Sequence, residues 1–256
     1  MRDYVPIFIS MLLFVACAPV MSPVTVTATA APALAPTAAV STTLRPTETF
    51  TLAPTITATP TFTPEPTFVV LRGVVNQEHV NCYYGPSKAY LYKYGLLKGN
   101  RLDIIGYLAD TGYIKVQAIG GNNPCWMNLE FMDVEEALNT VKPVDPLTIN
   151  LPWSPYYPAL SYAKAIRSGD EVTITWDLLN LLAGDDSEQE PYLLETWVCR
   201  DGKLTFVPIG TYKNNAIVVD EPGCSELSFG RVYGVEKHGY TKYLKFQWPQ
   251  AEELIK

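Results

Sequence analysis

The residue types in this chain that can do chemistry are few: five cysteines, two histidines and one dense run of carboxylates. Cys82 lies in VNCYYGPSKAY, beside Tyr83 and Tyr84 and just before a Gly-Pro turn, and Cys125 immediately precedes Trp126. Cys199 and Cys224 follow, while Cys17 closes the first apolar run. A cysteine nucleophile works as the thiolate and needs a base beside it. His79 and His238 are the whole supply of imidazole. Neither G-x-S-x-G nor H-E-x-x-H occurs, so the patterns of serine hydrolases and zinc peptidases are missing. Asp185, Asp186, Glu188 and Glu190 gather in AGDDSEQEP. Oxygen ligands suit a hard cation, yet this run lacks the spacing and glycine of a calcium loop. Its plain reading is a solvated loop with weak surface ion pairs. No metal and no cofactor is expected, and the role of the cysteines turns on the compartment.

The N-terminus speaks to the compartment. MRDYVPIFISMLLFVAC has a short polar start at Arg2 and Asp3, then apolar residues from Val5 to Ala16, ending at Cys17. That run is too short for a bilayer span and fits a signal-peptide core. Its end, FVAC, resembles a bacterial lipobox, which implies lipid attachment at Cys17. An ordinary secretory signal cleaved at a nearby small residue is the alternative. Acyl chains would hold the protein at a membrane surface, each buried methylene contributing about 0.8 kcal/mol. Outside the cytoplasm the remaining four cysteines tend to pair. Three connectivities are open to them. The sequence order favours Cys82–Cys125 and Cys199–Cys224, one pair in each candidate domain.

The elements that must position these residues come after a long leader. Residues 18–67 are dominated by Thr, Ala, Pro and Val, with almost no charge. Recurrent proline and the scarcity of large apolar side chains predict a disordered stalk. In an extended form, such a segment reaches on the order of 100 Å. From 68 onward, β-branched and aromatic runs alternate with Gly, Pro and Asn turns: FVVLRGVV, RLDIIGYL, YIKVQAI, EVTITWDLL, YLLETWVCR, NAIVVD, GRVYGVEK and YLKFQW. This is the pattern of an all-β protein. NLEFMDVEEALNTVK is the exception and is expected to form a helical turn. Prolines 143, 146 and 152 mark a connector at 137–155, separating domains at 68–136 and 156–250. A net charge of −7 argues against nucleic acid as a partner.

Four stretches in the first domain occur in order at related spacing: VNCYYGPSKAY, LLKGNRLDIIGYL, TGYIKVQAIGG and CWMNLEFM. Together they resemble the bacterial SH3 family, small β-barrels of cell-envelope proteins. The resemblance implies that Cys82 and Cys125, in the first and last motifs, come together in a barrel as a disulfide. The family's arginine is replaced here by Tyr83, so a ligand contact made by that arginine is lost. In its place stand Tyr83, Tyr84, Tyr90, Tyr92, Tyr94 and Tyr113. Tyr83, Tyr84, Tyr90, Tyr113 and Trp126 are the candidate ligand-binding residues, because aromatic rings in a shallow groove stack on sugars or peptides. Burial in the barrel is the competing role for most of them.

The pattern at 159–249 resembles a fibronectin type III or related immunoglobulin-like sandwich. SYAKAIRSGDEVTITWDLL matches an opening strand pair with Trp176 buried, and YLLETWVCRDGKLTFVPI a hairpin turning at Asp201-Gly202. GRVYGVEKHGYTKYLKFQW would be the last hairpin, with Tyr233 and Val235 facing inward. In that topology the AGDDSEQEP and EKHGY loops share one end, so Lys237 and His238 would meet the carboxylates. The reading these features favour is a non-catalytic, lipid-anchored or secreted envelope protein. Its β modules would bind a cell-wall peptide or glycan, or a surface protein. A structural spacer or assembly subunit is the alternative, and a wall hydrolase is disfavoured for want of a catalytic set.

Overall fold

The computed structural model describes residues 67–251. The expectations for the signal segment, Cys17 and the stalk up to residue 66 therefore lie outside the described residues. Within them the protein is all-β. The first half comprises β1 (Leu71–Val75), β2 (His79–Tyr83), β3 (Tyr92–Leu97), β4 (Arg101–Leu108), β5 (Tyr113–Ala118), β6 (Cys125–Asn128) and β7 (Met132–Val134). They form one sheet in the order β3-β2-β6-β5-β4-β1-β7, every pairing antiparallel. Its concave side is filled by alternate residues. In β4, Leu102 and Ile104 face this core, the two-residue period of a strand with one face inward; past a bulge Tyr107 takes up that face, while Leu108 belongs to a core on the other side. A register shift between Ile104 and Gly106 supplies the bend of a β-bulge, and the sheet curls into a half-barrel. Cys82 and Cys125 are bonded to each other inside this core, among Val80, Ile104, Val116 and Met127.

The stretch expected as a helical turn is divided. Short 3-10 turns at Leu129–Phe131 and Leu138–Thr140 flank β7, which pairs with β1. Met132 and Val141 are the apolar anchors. Two of them, nine residues apart with charges between, fit an edge strand and a returning segment rather than a helix face.

The second half comprises β8 (Ala163–Ser168), β9 (Glu171–Trp176), β10 (Tyr192–Arg200), β11 (Lys203–Thr211), β12 (Asn215–Val219), β13 (Phe229–Glu236), β14 (Gly239–Tyr240) and β15 (Leu244–Lys245). One sheet runs β12-β9-β8, and the other runs β11-β10-β13-β14 with β15 also on β13. The β10–β11 hairpin turns at Asp201-Gly202, both at positive φ (51° and 71°), as a tight two-residue turn requires. Trp176, Val172, Ile174, Leu194, Val198, Val232 and Trp248 fill the space between the sheets. Asp220 is buried beside this core and accepts from the Cys199 N–H (2.8 Å), the Ser228 hydroxyl (2.5 Å) and the Trp248 indole N–H (2.8 Å). Arg167 completes its partners. Cys199 is bonded to Cys224 alongside.

β10 is buried on both faces. Tyr192, Leu194 and Val198 point into the sandwich, and Leu193 and Trp197 point the other way, into a core shared with the half-barrel. Tyr90, Leu91, Leu108 and Trp126 meet Phe206, Tyr233, Val235 and Tyr240 there. Tyr233 and Val235 are inward-facing as expected, but toward this shared core rather than the sandwich, because Val232 occupies the opposite face of β13. The segment at 137–155 runs along both halves. Val144 bonds back to Tyr107 (2.9 Å) and Pro152 accepts from the Tyr240 N–H (2.9 Å).

Candidate functional site

The shared core contains a polar centre that anchors everything near the surface above it. Glu195 in β10 is fully buried. Its Oε1 accepts from the Tyr90 hydroxyl at 2.6 Å, and its Oε2 accepts from Arg231 Nε at 2.5 Å and the Tyr233 hydroxyl at 3.1 Å. The Arg231 guanidinium also lies over the rings of Trp197, Tyr233 and Tyr243, 5.0–5.6 Å from their centroids, the geometry of cation–π attraction. Leu91 N–H donates to the Tyr240 hydroxyl at 2.6 Å. At the edge of the second sheet, Asp110 accepts from the Phe206 N–H at 3.0 Å. The half-barrel thereby occupies part of a β11 edge that would otherwise invite strand addition.

Burial, then the Glu195 carboxylate, pushes the Tyr90 and Tyr233 phenols upward, and burial does the same at Tyr240. An unfolded tyrosine ionises near pH 10. Below that pH both states hold these protons and stability does not change. Above it, the unfolded chain sheds protons that the folded one keeps, so stability falls as pH rises. The expected result is cooperative alkaline unfolding. Absorbance near 295 nm from these three phenols should rise with the loss of structure, not ahead of it. A smooth, independent titration of all tyrosines around pH 10 in the folded protein would contradict it.

Two of the five candidate ligand-binding residues lie in the interior. Tyr90 and Trp126 are buried, so they are corrected from ligand contacts to packing residues. Their rings fill the contact between the halves, a partner the sequence of either half does not reveal. An added Cβ at Gly85 would meet the Tyr90 ring at 2.3 Å, so the Gly-Pro turn serves to seat that tyrosine. Tyr83, Tyr84 and Tyr113 are half-buried and pack against the same core. The Tyr83 and Tyr113 rings are 6.5 Å apart, and Lys93 lies over Tyr84 at 5.1 Å. What these five residues line is mainly an internal interface.

An open aromatic cleft lies elsewhere, above the polar centre. The strap Pro152–Trp153–Ser154 is pinned to β14: the Ser154 N–H donates to Tyr240 O (2.8 Å), and the Tyr240 N–H donates to Pro152 O (2.9 Å). The approach is close enough to demand glycine at Gly239. A Cβ there would sit 2.2 Å from Pro152 O, and its φ is 145°. The strap presents Trp153 with 60% of its surface exposed. Across the cleft, Tyr243 is 44% exposed. It is held edge-on to Tyr233 (5.7 Å between centroids) and under Arg231. Leu151, Tyr233, Tyr240 and Thr241 make up the rest of the lining, with Lys242 on the rim, around a volume of about 440 Å³. Thr241 is buried. Its hydroxyl accepts from the Gly234 N–H and donates to Lys242 O, both at 3.0 Å, so the rim backbone is fixed. Rings held this way can stack on a flat apolar ring at small entropic cost.

A second, polar cleft of about 470 Å³ lies between the halves, with Tyr84, Tyr92, Asp186, Ser187, Glu188 and His238 in its wall. The acidic loop and the His238 turn meet as expected. Lys237 Nζ is 2.7 Å from Asp185, and that ammonium, with the Tyr157 hydroxyl, holds the Asp185 carboxyl below its ordinary value. Glu236 is buried with Oε2 3.0 Å from His238 Nδ1. A carboxylate behind an imidazole is half of a catalytic relay. Yet no hydroxyl or thiol hydrogen-bonds to the His238 ring among the described residues. Among these residues there is also no group of three or more His, Cys, Asp or Glu placed to hold a metal ion.

Trp153, Lys242 and Tyr243 were not among the residues singled out from the sequence. NLPWSP reads as proline-punctuated connector and YTKYLK as strand. The signal that was present is a tryptophan in a connector and aromatic residues interleaved with lysines in YTKYLK, where Lys242 and Tyr243 join β14 to β15. Comparison of the sequence with protein-family models and with curated proteins finds no match.

Proposed function

We propose that this chain is a non-catalytic envelope protein, anchored by lipid at Cys17 or secreted, that binds cell-wall material or a surface protein. Its contact site is the Trp153–Tyr243 cleft. The observation that carries the reading is a solvent-exposed pair of aromatic rings on anchored backbone, with a lysine in the lining. Such a site binds by contact and needs no reacting group. The resemblance of 71–132 to bacterial SH3 domains and of 159–249 to fibronectin type III modules supports the same class, since both usually mediate interaction. Fold likeness alone does not choose the ligand. The two disulfides are compatible with an oxidising exterior. The shared core favours a second reading, a stiff spacer in an extracytoplasmic assembly, because it makes one body of two modules.

A sedimentation assay on purified cell wall tests the first reading. The wild-type protein is expected in the pellet, and Trp153→Ala, at a residue 60% exposed, in the supernatant at unchanged thermal stability. Tyr83→Ala is expected to stay with the wall. Wild-type protein that remains entirely soluble would leave the spacer reading. Intact mass of the mature N-terminus tests the lipid at Cys17.

A further inference from the structure

We infer that the Trp153–Tyr243 cleft takes an anionic saccharide: a sugar ring stacked on Trp153 with a carboxylate or phosphate beside it, held by Lys242 and Lys245. This rests on the binding reading above and specifies its ligand. The stacking surface comes from Trp153 and Tyr243, the most exposed aromatics of the cleft. The charge comes from two ammonium groups that accompany those rings. Lys242 Nζ is 5.8 Å from the Trp153 ring centroid, and Lys245 Nζ is 5.8 Å from the Tyr243 centroid. Neither lysine forms an ion pair among the described residues. The other cation of the region, Arg231, is consumed by Glu195 underneath.

Charge complementarity selects the ligand class. The protein as a whole carries a net charge of −7, so a polyanion is repelled from most of its surface. The cleft has Lys242 in its lining and Lys245 beside Tyr243, two cations without an acidic partner among the described residues next to two exposed rings. A neutral sugar would use the rings and leave the ammonium groups idle. A polyanion without rings would use the lysines and leave Trp153 exposed. A ring bearing negative charge engages both. The Lys245 position is fixed by its cross-strand pairing with Arg231, and Lys242 follows the anchored Thr241. The backbone that carries both lysines is therefore paired or anchored, and their exposed side chains supply the reach.

Calorimetry with the full chain tests this, using three probes: a galacturonate hexamer, maltohexaose as the uncharged control, and a glucose-substituted polyol phosphate. The first or third probe, or both, should bind at least about tenfold more tightly than maltohexaose, with the advantage shrinking as salt is raised. Preference between the two identifies carboxylate or phosphate as the charge recognised. Trp153→Ala should weaken every probe by about tenfold or more. Lys242→Gln with Lys245→Gln should erase only the anionic advantage, and Lys242→Arg with Lys245→Arg should retain it. Equal binding of charged and neutral hexamers, or binding indifferent to Trp153, overturns the inference. Retention on cell wall with no response to any of the probes also overturns it while leaving the binding reading standing. Loss of wall retention by the wild type removes that reading itself. Competition by a tyrosine-rich acidic peptide but by no saccharide would assign the cleft to a protein partner and overturn the inference as well.

Discussion

Replacing Glu195 with alanine is expected to destabilise the protein by about 3–5 kcal/mol. The carboxylate is fully buried and satisfies the Tyr90 hydroxyl, the Tyr233 hydroxyl and Arg231 Nε at once. Alanine would leave a guanidinium with 11% of its side chain exposed and no counter-charge. An uncompensated charge in that position costs more than the pair was worth when intact. The cation–π contacts with Trp197, Tyr233 and Tyr243 would offset only part of it. Tyr90→Phe removes one hydrogen bond to a charged acceptor and should lose about 1.5–3 kcal/mol. Glu195→Leu combined with Arg231→Met removes both charges and should be milder than Glu195→Ala alone.

Urea unfolding at neutral pH measures these differences, and the shape of the curve carries a second readout. Tyr90 belongs to the half-barrel and Glu195 to the sandwich. The wild type is expected to unfold in one transition and Glu195→Ala in two, because the link between halves is what the substitution breaks. A loss under about 1 kcal/mol with one unchanged transition would show that apolar packing alone joins them.

The second large effect is expected from the disulfides. Cys82 and Cys125 are separated by 43 residues, and releasing a closed loop of that length gives the unfolded chain about 4 kcal/mol of entropy. Both sulfurs are buried in the first core, so Cys82→Ala with Cys125→Ala also forfeits packing. Cys199–Cys224 spans 25 residues, and its removal is expected to cost about 3.5 kcal/mol. There Asp220 still binds the Cys199 N–H and ties Arg167, Ser228 and Trp248 to it, so the local geometry should survive. Small β units gain most from such staples because their cores are small. Denaturation of each double variant against the oxidised wild type checks both figures. Equal midpoints with and without the Cys82–Cys125 bond would refute the loop argument.

Several features of this protein were written in its sequence alone. The all-β architecture follows from short β-branched runs between Gly, Pro and Asn turns, and the Asp201-Gly202 hairpin from the demand for two positive-φ residues. The partners of Cys82 and Cys199 followed from chain order. In each case the physics is local, or the contact lies within one half. The tertiary structure alone decided the rest. Glu195 is a charge in the middle of YLLETWVCR that nothing local marks as interior, and it is fully buried because two sheets close over opposite faces of one strand. Tyr90 and Trp126 read as a ligand surface, and they are interior because a distant hairpin covers them. Trp153 lies in a proline-punctuated connector, and it stands exposed at a cleft beside Tyr243 because Gly239 lets the backbone of Pro152 come close. A strand's period shows that it has two faces, but what each face meets depends on residues a hundred positions away.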